Sequence, residues 1–279
     1  MKRPILIYVI AALFLSWVIS VGGMFAVIIY GFIKGPIVKP LFYVSHALSA
    51  SAFVLAALFC IQLFYKNAKS SMLFEGLKPI KISQAQVWVI ASPLFLWATG
   101  LLLLGILKGE WFDFSTISNE GENQVLEILA LLSPILCYAV FGEIGLRGFV
   151  LPHLQEKHHA LKASIITAII WTLLLSPLLT WRLDLSVLTY LELFCCILMG
   201  SIILTHLYNT NRGMILPGIL FHIALNLTFV IASSPGRAAL SIGLILLSSW
   251  IIWRFGMRNL SNKDRLQNYF REKPAAKLT

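Results

Sequence analysis

Eight apolar stretches, each close to the length that crosses a bilayer, dominate this chain and limit what it can fold into. A spanning helix needs about 20 mostly apolar residues, more than a helix in a soluble core normally offers. On that rule helices are expected at about 5–32, 41–64, 86–107, 125–150, 162–181, 185–208, 213–233 and 238–255. The expected fold class is therefore all-α: a polytopic membrane helical bundle of about eight transmembrane helices. Composition agrees, with 58% hydrophobic and only 12% charged residues, where soluble domains are about a quarter charged. The opening MKRPILIYVIAALFLSWVIS begins like a secretory signal. Its apolar run continues to about Ile33 without a convincing cleavage site, so it reads as a retained first span.

Lysine and arginine placement sets the orientation. With the N-terminus inside, inner segments hold Lys2, Arg3, Lys66, Lys69, Lys78 and Lys81, then Lys157, Lys162 and Arg212, and finally the basic tail beyond Arg254. Outer segments are poorer in positive charge, and the longest, KGEWFDFSTISNEGEN, is acidic. An even number of spans with both termini cytoplasmic satisfies the positive-inside rule. The net charge of +10 then needs anionic lipid as a partner and no nucleic acid. Three regions are expected: 1–124 with the N-terminal spans, 125–233 as a functional core, and 234–279 with the last span and tail. The 66–85 loop is the one stretch expected to lie along the membrane surface. Cys60, Cys137, Cys195 and Cys196 fall in apolar runs with no metal-binding spacing and read as small hydrophobes.

Ionisable residues inside spans are costly and mark candidate sites. They are His46, Glu127, Glu143, Arg147, Glu192, His206 and His222. Glu127 and His206 lie near helix ends and His46 in the first turns of its span, where structural roles suffice. Glu143 and Arg147 share a helix face at i, i+4, with the acid placed first, the favourable order for a helical ion pair. Similar depth brings other groups within reach. At about 1.5 Å per residue, Glu143 and His222 sit at similar depths from the inner ends of their helices. Asn226, one turn from His222, can extend the network, and Glu192 can join it.

The flanking residues carry a resemblance. GEIGLRGFVLP, Gly142 to Pro152, is similar to the first motif of the CAAX protease and bacteriocin-processing family (Abi or CPBP), which reads Glu-Glu-x-x-x-Arg followed by Gly and an aromatic residue. WTLLLSP, Trp171 to Pro177, aligns with a second motif in which an aromatic residue precedes a histidine by four. HIALN, His222 to Asn226, matches the third, His-x-x-x-Asn, after the family-like run YNTNRGMILPGILF. The resemblance implies an intramembrane endopeptidase with its site in the cytoplasmic half of the bilayer, or a partner of other membrane proteins. It implies a first glutamate and a second-motif histidine that activate water, with the third-motif histidine and asparagine binding the oxyanion.

Carried over by position, Glu143, Arg147, His222 and Asn226 are the site residues. Gly142 stands where the first glutamate belongs, and Leu175 where the second-motif histidine belongs. Reading FGEIG as FGEEIG with one residue deleted would recover the acid, but a one-residue shift turns a helical side chain by about 100°. The expectation is a degenerate member that has lost or weakened its peptidase activity and binds or regulates a membrane peptide or protein. The alternative is an active endopeptidase, CAAX-type or bacteriocin-related, with displaced catalytic groups. A different carboxylate–imidazole couple in the same chamber would count against the degenerate reading. No metal or other cofactor is expected, because the family positions offer too few ligands for zinc. The arrangement points to a multi-pass protein of a prokaryotic cell membrane. A transporter-like reading of the Glu143–Arg147 pair has no support from an inverted repeat.

Overall fold

A backbone that leaves water must bond its own amides, and this chain does so by helix almost throughout. The computed structural model describes residues 3–33, 38–66, 68–109, 124–175, 187–231 and 234–264, and none of these forms a strand. In order, the helices are α1 (Arg3–Ile33), α2 (Val38–Ser49), α3 (Ser51–Phe64), a 3-10 helix (Ser70–Leu77), α4 (Gln84–Lys108) and α5 (Gln124–Gly145). A π-helical turn, Leu146–Val150, carries α5 into α6 (Leu151–Gln155). Then follow α7 (Ala160–Leu174), α8 (Val187–Thr210), α9 (Leu216–Ile231) and α10 (Ser234–Asn259). Six of these segments are long and apolar enough to cross a membrane, and two shorter apolar helices, Ala160–Leu174 and Leu216–Thr228, accompany them. The protein is a polytopic membrane helical bundle.

Several boundaries differ from expectation for local reasons. The second span breaks at Ala50 into α2 and α3. The fourth does not stop near 150 but continues to Gln155 through the π turn. Pro152 has no N–H to donate, and the wider register takes the chain past it without ending the helix. The fifth helix ends early, with Leu175 as its C-cap; expected residues 176–181 lie outside the described residues. At the start of α4 Ser83 and Gln86 form a reciprocal capping box, and Gly109 closes its end at φ 70°.

Long-range bonds gather alternate helix ends together. Cys60 Sγ donates to the Pro4 carbonyl at 3.6 Å, joining the end of α3 to the start of α1. The Ile215 amide donates to the Gly76 carbonyl at 2.8 Å, and Gln86 Nε2 to Asn211 Oδ1 at 2.8 Å. Gln155 and Asn209 exchange amide bonds of 3.1 and 3.0 Å between α6 and α8. The last turns of α10 are kinked at Gly256 (φ 73°), and past the helix the chain turns at Leu260 (φ 52°). There the Leu260 carbonyl accepts from His206 at 2.7 Å and Lys263 Nζ donates to the Thr210 carbonyl at 2.7 Å. Arg3 and Asp264 therefore lie at the same end of the bundle, which also carries the exposed Lys66, Lys69, Lys78 and Lys81.

Glycines on α5 set how closely its neighbours approach. Gly142, Gly145 and, in the π turn that follows, Gly148 recur every third residue and meet four different elements. A Cβ added at Gly145 would fall 2.6 Å from Tyr8 Oη of α1 and 2.7 Å from the Phe53 carbonyl oxygen of α3. One contact is backbone and cannot swing aside. Gly145→Ala is expected to destabilise the protein by about 1–3 kcal/mol, an overpacking cost. Gly22→Ala, with nothing within 4 Å of the added carbon, is expected to be neutral. Thermal unfolding of both variants in detergent checks the contrast.

Candidate functional site

Four helices bring polar side chains to one buried cluster. Glu143 lies near the end of α5 and Arg147 in the π turn that follows; both are buried. Oε1 of Glu143 accepts from Arg147 Nη1 at 3.0 Å and from His222 Nδ1 of α9 at 2.9 Å. An ionised carboxylate only accepts, so His222 carries its proton on Nδ1 and presents Nε2 away from Glu143. Arg147 Nη2 donates to Ser201 Oγ of α8 at 3.2 Å. Ser201 Oγ in turn donates to the Ser164 carbonyl of α7 at 2.9 Å, and Ser164 Oγ donates to Ser201 Oγ at 3.3 Å.

Trp171 of α7 packs against both residues that bond Glu143. The Arg147 guanidinium carbon stands 5.1 Å from its ring centre, a cation–π arrangement. The His222 ring meets Trp171 edge-on at 4.6 Å between centroids. Glu143 therefore faces a wall built from an arginine and a histidine that share one tryptophan. Gly218, one turn before His222, permits the approach of α9: a Cβ there would lie 3.2 Å from Glu143 Oε2.

The expected site residues are thus placed unequally. Glu143, Arg147 and His222 are in direct contact. The depth argument for their meeting used the wrong helix ends, since α5 runs on to Gln155 and α9 starts only at Leu216. Measured from those ends at about 1.5 Å per residue, Glu143 is roughly 18 Å in and His222 roughly 9 Å. The two helices end at different heights and still meet. Asn226 is one turn further and half-buried, and its Nδ2 donates to the Ile135 carbonyl of α5 at 3.3 Å, away from Glu143. Gly142 is buried, and a Cβ on it would meet only His222 Cε1, at 3.7 Å. Leu175 caps α7 one turn past Trp171 and is half-buried.

Glu192 does not supply the α8 contact; Ser201, nine residues later on the same helix, does. His206 bonds the turn after α10 and packs on Phe255 at 4.8 Å, a structural role. His46 is buried in α2, and the side chain of Glu127 lies outside the described residues. Sequence reasoning missed Ser164 and Ser201, which no motif distinguishes from other serines in apolar helices. It also missed His153, whose Nδ1 donates to the Phe149 carbonyl at 2.5 Å while Nε2 shares a 2.6 Å hydrogen bond with the Tyr65 hydroxyl. Among the described residues no three His, Cys, Asp or Glu side chains converge as a metal site would require.

The geometry defines a class, a multi-pass helical bundle with a desolvated carboxylate–guanidinium–imidazole cluster at its centre. Residues 124–228, which include the whole cluster, match the family described as Type II CAAX prenyl endopeptidase Rce1-like. The chain is also similar to CAAX prenyl protease 2 of Methanococcus maripaludis, 31% identical over 143 residues, or 48% of this chain and 53% of that protein. It thus spans about half the length of the curated relative it matches. Over this segment the chain is similar to the CAAX protease (Rce1-like) family.

Removing one charge of the pair strands the other. Arg147→Ala leaves Glu143 buried beside a histidine alone and is expected to cost about 3–5 kcal/mol. The double variant Glu143→Gln/Arg147→Met leaves neither charge and is expected to recover most of that loss. Detergent thermal stability of the single and double variants measures the difference; equal losses would mean the pair carries no such coupling.

Proposed function

We propose that this chain is a CAAX-protease-fold membrane protein whose peptidase activity is lost or feeble, and which binds or regulates a membrane-embedded peptide or protein. The observation that carries the reading is the charge balance at Glu143. In a catalytic carboxylate–histidine couple the carboxylate offsets the imidazolium formed when the histidine takes a proton. Here Arg147 bonds the same carboxylate oxygen that His222 does. Arg147 is thus already the counter-ion of that carboxylate. Gly142 supplies no second carboxylate and Leu175 no imidazole. A positioned acid–base group is worth on the order of 10²- to 10⁴-fold in rate, so losing it accounts for weak or absent turnover.

The reading includes no metal, since a catalytic zinc takes three protein ligands and Glu143 and His222 already bond each other. It includes no nucleic acid. It places the protein in a prokaryotic cell membrane with the basic end and both termini cytoplasmic. The archaeal relative and the four exposed lysines of residues 66–81 support that placement.

One observation favours a second reading. Glu143 and His222 do form a carboxylate–imidazole couple, 2.9 Å apart. In an active endopeptidase with displaced groups, His222 Nε2 would take the proton from water while Glu143 holds the ring.

A prenylated CaaX-type peptide distinguishes the two. The wild-type protein is expected to release no more tripeptide than Glu143→Ala, while Gly142→Glu/Leu175→His gains measurable cleavage. A Cβ at Gly142 would meet His222 Cε1 at 3.7 Å, ordinary van der Waals contact, so the new side chain starts beside the imidazole without a clash at its first carbon. Wild-type cleavage that Glu143→Ala abolishes, at undiminished yield of folded protein, would replace the first reading with the second.

A further inference from the structure

Residues 65–86 do more than connect α3 to α4. The 3-10 helix Ser70–Leu77 has three residues per turn, so positions three apart share a face. Leu73 and Gly76 point inward and are buried, whereas Ser71, Phe74 and Glu75 are exposed. The inward side is fastened along its length. Tyr65 reaches His153 at 2.6 Å, the Gly76 carbonyl accepts from the Ile215 amide at 2.8 Å, and Gln86 bonds Asn211 at 2.8 Å. Leu73 lies so close to the π turn that a Cβ on Gly148 would fall 3.3 Å from its Cδ1. Gly148 is the residue after Arg147. The strap is therefore packed one residue from the guanidinium of the buried cluster.

Its outward side has a different chemistry. Lys66, Lys69, Lys78 and Lys81 are all exposed, and Glu75 is the one acid between them. Phe74 is 39% exposed among these charges. Nearby helix ends carry exposed tryptophans, Trp88 near the start of α4 and Trp253 near the end of α10. Tryptophan concentrates where a bilayer meets water, which puts the strap at headgroup level.

We propose that the strap is a docking surface for anionic lipid: its four lysines pair with headgroup phosphates, Phe74 enters the headgroup boundary, and this seating holds Leu73 against Gly148 beneath Arg147. Each lysine held at an anionic membrane surface contributes roughly fivefold in affinity. Lipid charge thus acts on the packing around the cluster. The proposal rests on the basic end facing an anionic leaflet and is independent of whether the site hydrolyses anything.

The test uses the full chain in phosphatidylcholine vesicles with and without phosphatidylglycerol, and reads amide hydrogen exchange across residues 70–77. Phosphatidylglycerol is expected to slow exchange by about tenfold, an effect that high salt removes. The variant Lys66→Gln/Lys69→Gln/Lys78→Gln/Lys81→Gln, altered only at exposed positions, is expected to exchange equally in both lipids. Equal rates for the wild type in the two lipids, or slowing that survives in the variant, would overturn the proposal. Inorganic phosphate added to phosphatidylcholine vesicles is expected to change nothing; slowing there would make this a phosphate site and refute lipid docking. Leu73→Ala is expected to speed exchange in both lipids, and unchanged rates would refute the seating of Leu73 on the π turn.

Discussion

The pairing of Glu143 with Arg147 away from water is the constraint around which the rest of the core is arranged. Either charge alone in a low-dielectric interior would be strongly unfavourable, and each further bond the pair makes offsets part of that cost. The surroundings supply several such bonds by type, while Glu143 Oε2 and Arg147 Nε find no hydrogen-bond partner among the described residues. Trp171 offers a π face to the guanidinium, Ser201 and Ser164 relay one Arg147 donor to the backbone of α7, and His222 supplies a second donor to the carboxylate. Each partner arrives on a different helix, so satisfying one ion pair also fixes how α5, α7, α8 and α9 meet.

Between apolar helices in lipid, close approach is a main source of packing energy, and small residues permit it. Gly142 and Gly145 of α5 and Gly148 of the π turn show this in a directional way. Gly145 admits α1 and α3, Gly148 admits the strap, and Gly142 faces His222. Gly218 does the same for α9 opposite Glu143. The close contacts surround the charged cluster on several sides, which excludes water and keeps the ion pair in the environment that makes it strong.

Much of this was legible in the sequence because its causes are local. The helical membrane-bundle class follows from apolar run length, although six described segments rather than eight are long and apolar enough to cross, and the Glu143–Arg147 contact follows from helical spacing. The motifs placed Arg147, His222 and Trp171 within one core. What remained hidden depends on where helices stop and how they tilt. The π turn before Pro152 extends α5 past its expected end, and the depth comparison between Glu143 and His222 inherited that error. Asn226 shares a helix face with His222, yet its amide bonds the Ile135 carbonyl, a choice that α5 makes by its position. Ser201 and Glu192 sit on one helix, and by charge the glutamate was the better candidate. Only the rotation of α8 against α7 decides for the serine.

The same electrostatics governs which positions can change without loss of the fold. Glu143, Arg147 and His222 are mutually dependent, and altering one leaves another unpaired in a buried place. Their presence is explained by stability alone and says little about catalysis. Gly142 and Leu175 are different. Neither carries a charge, neither bonds the cluster, and Gly142 leaves space beside the imidazole without unbalancing it. Chemistry can therefore be lost at those two positions while the ion pair and its tryptophan keep the helices in place. A polar centre of this kind holds the bundle together whether or not it supports a reaction.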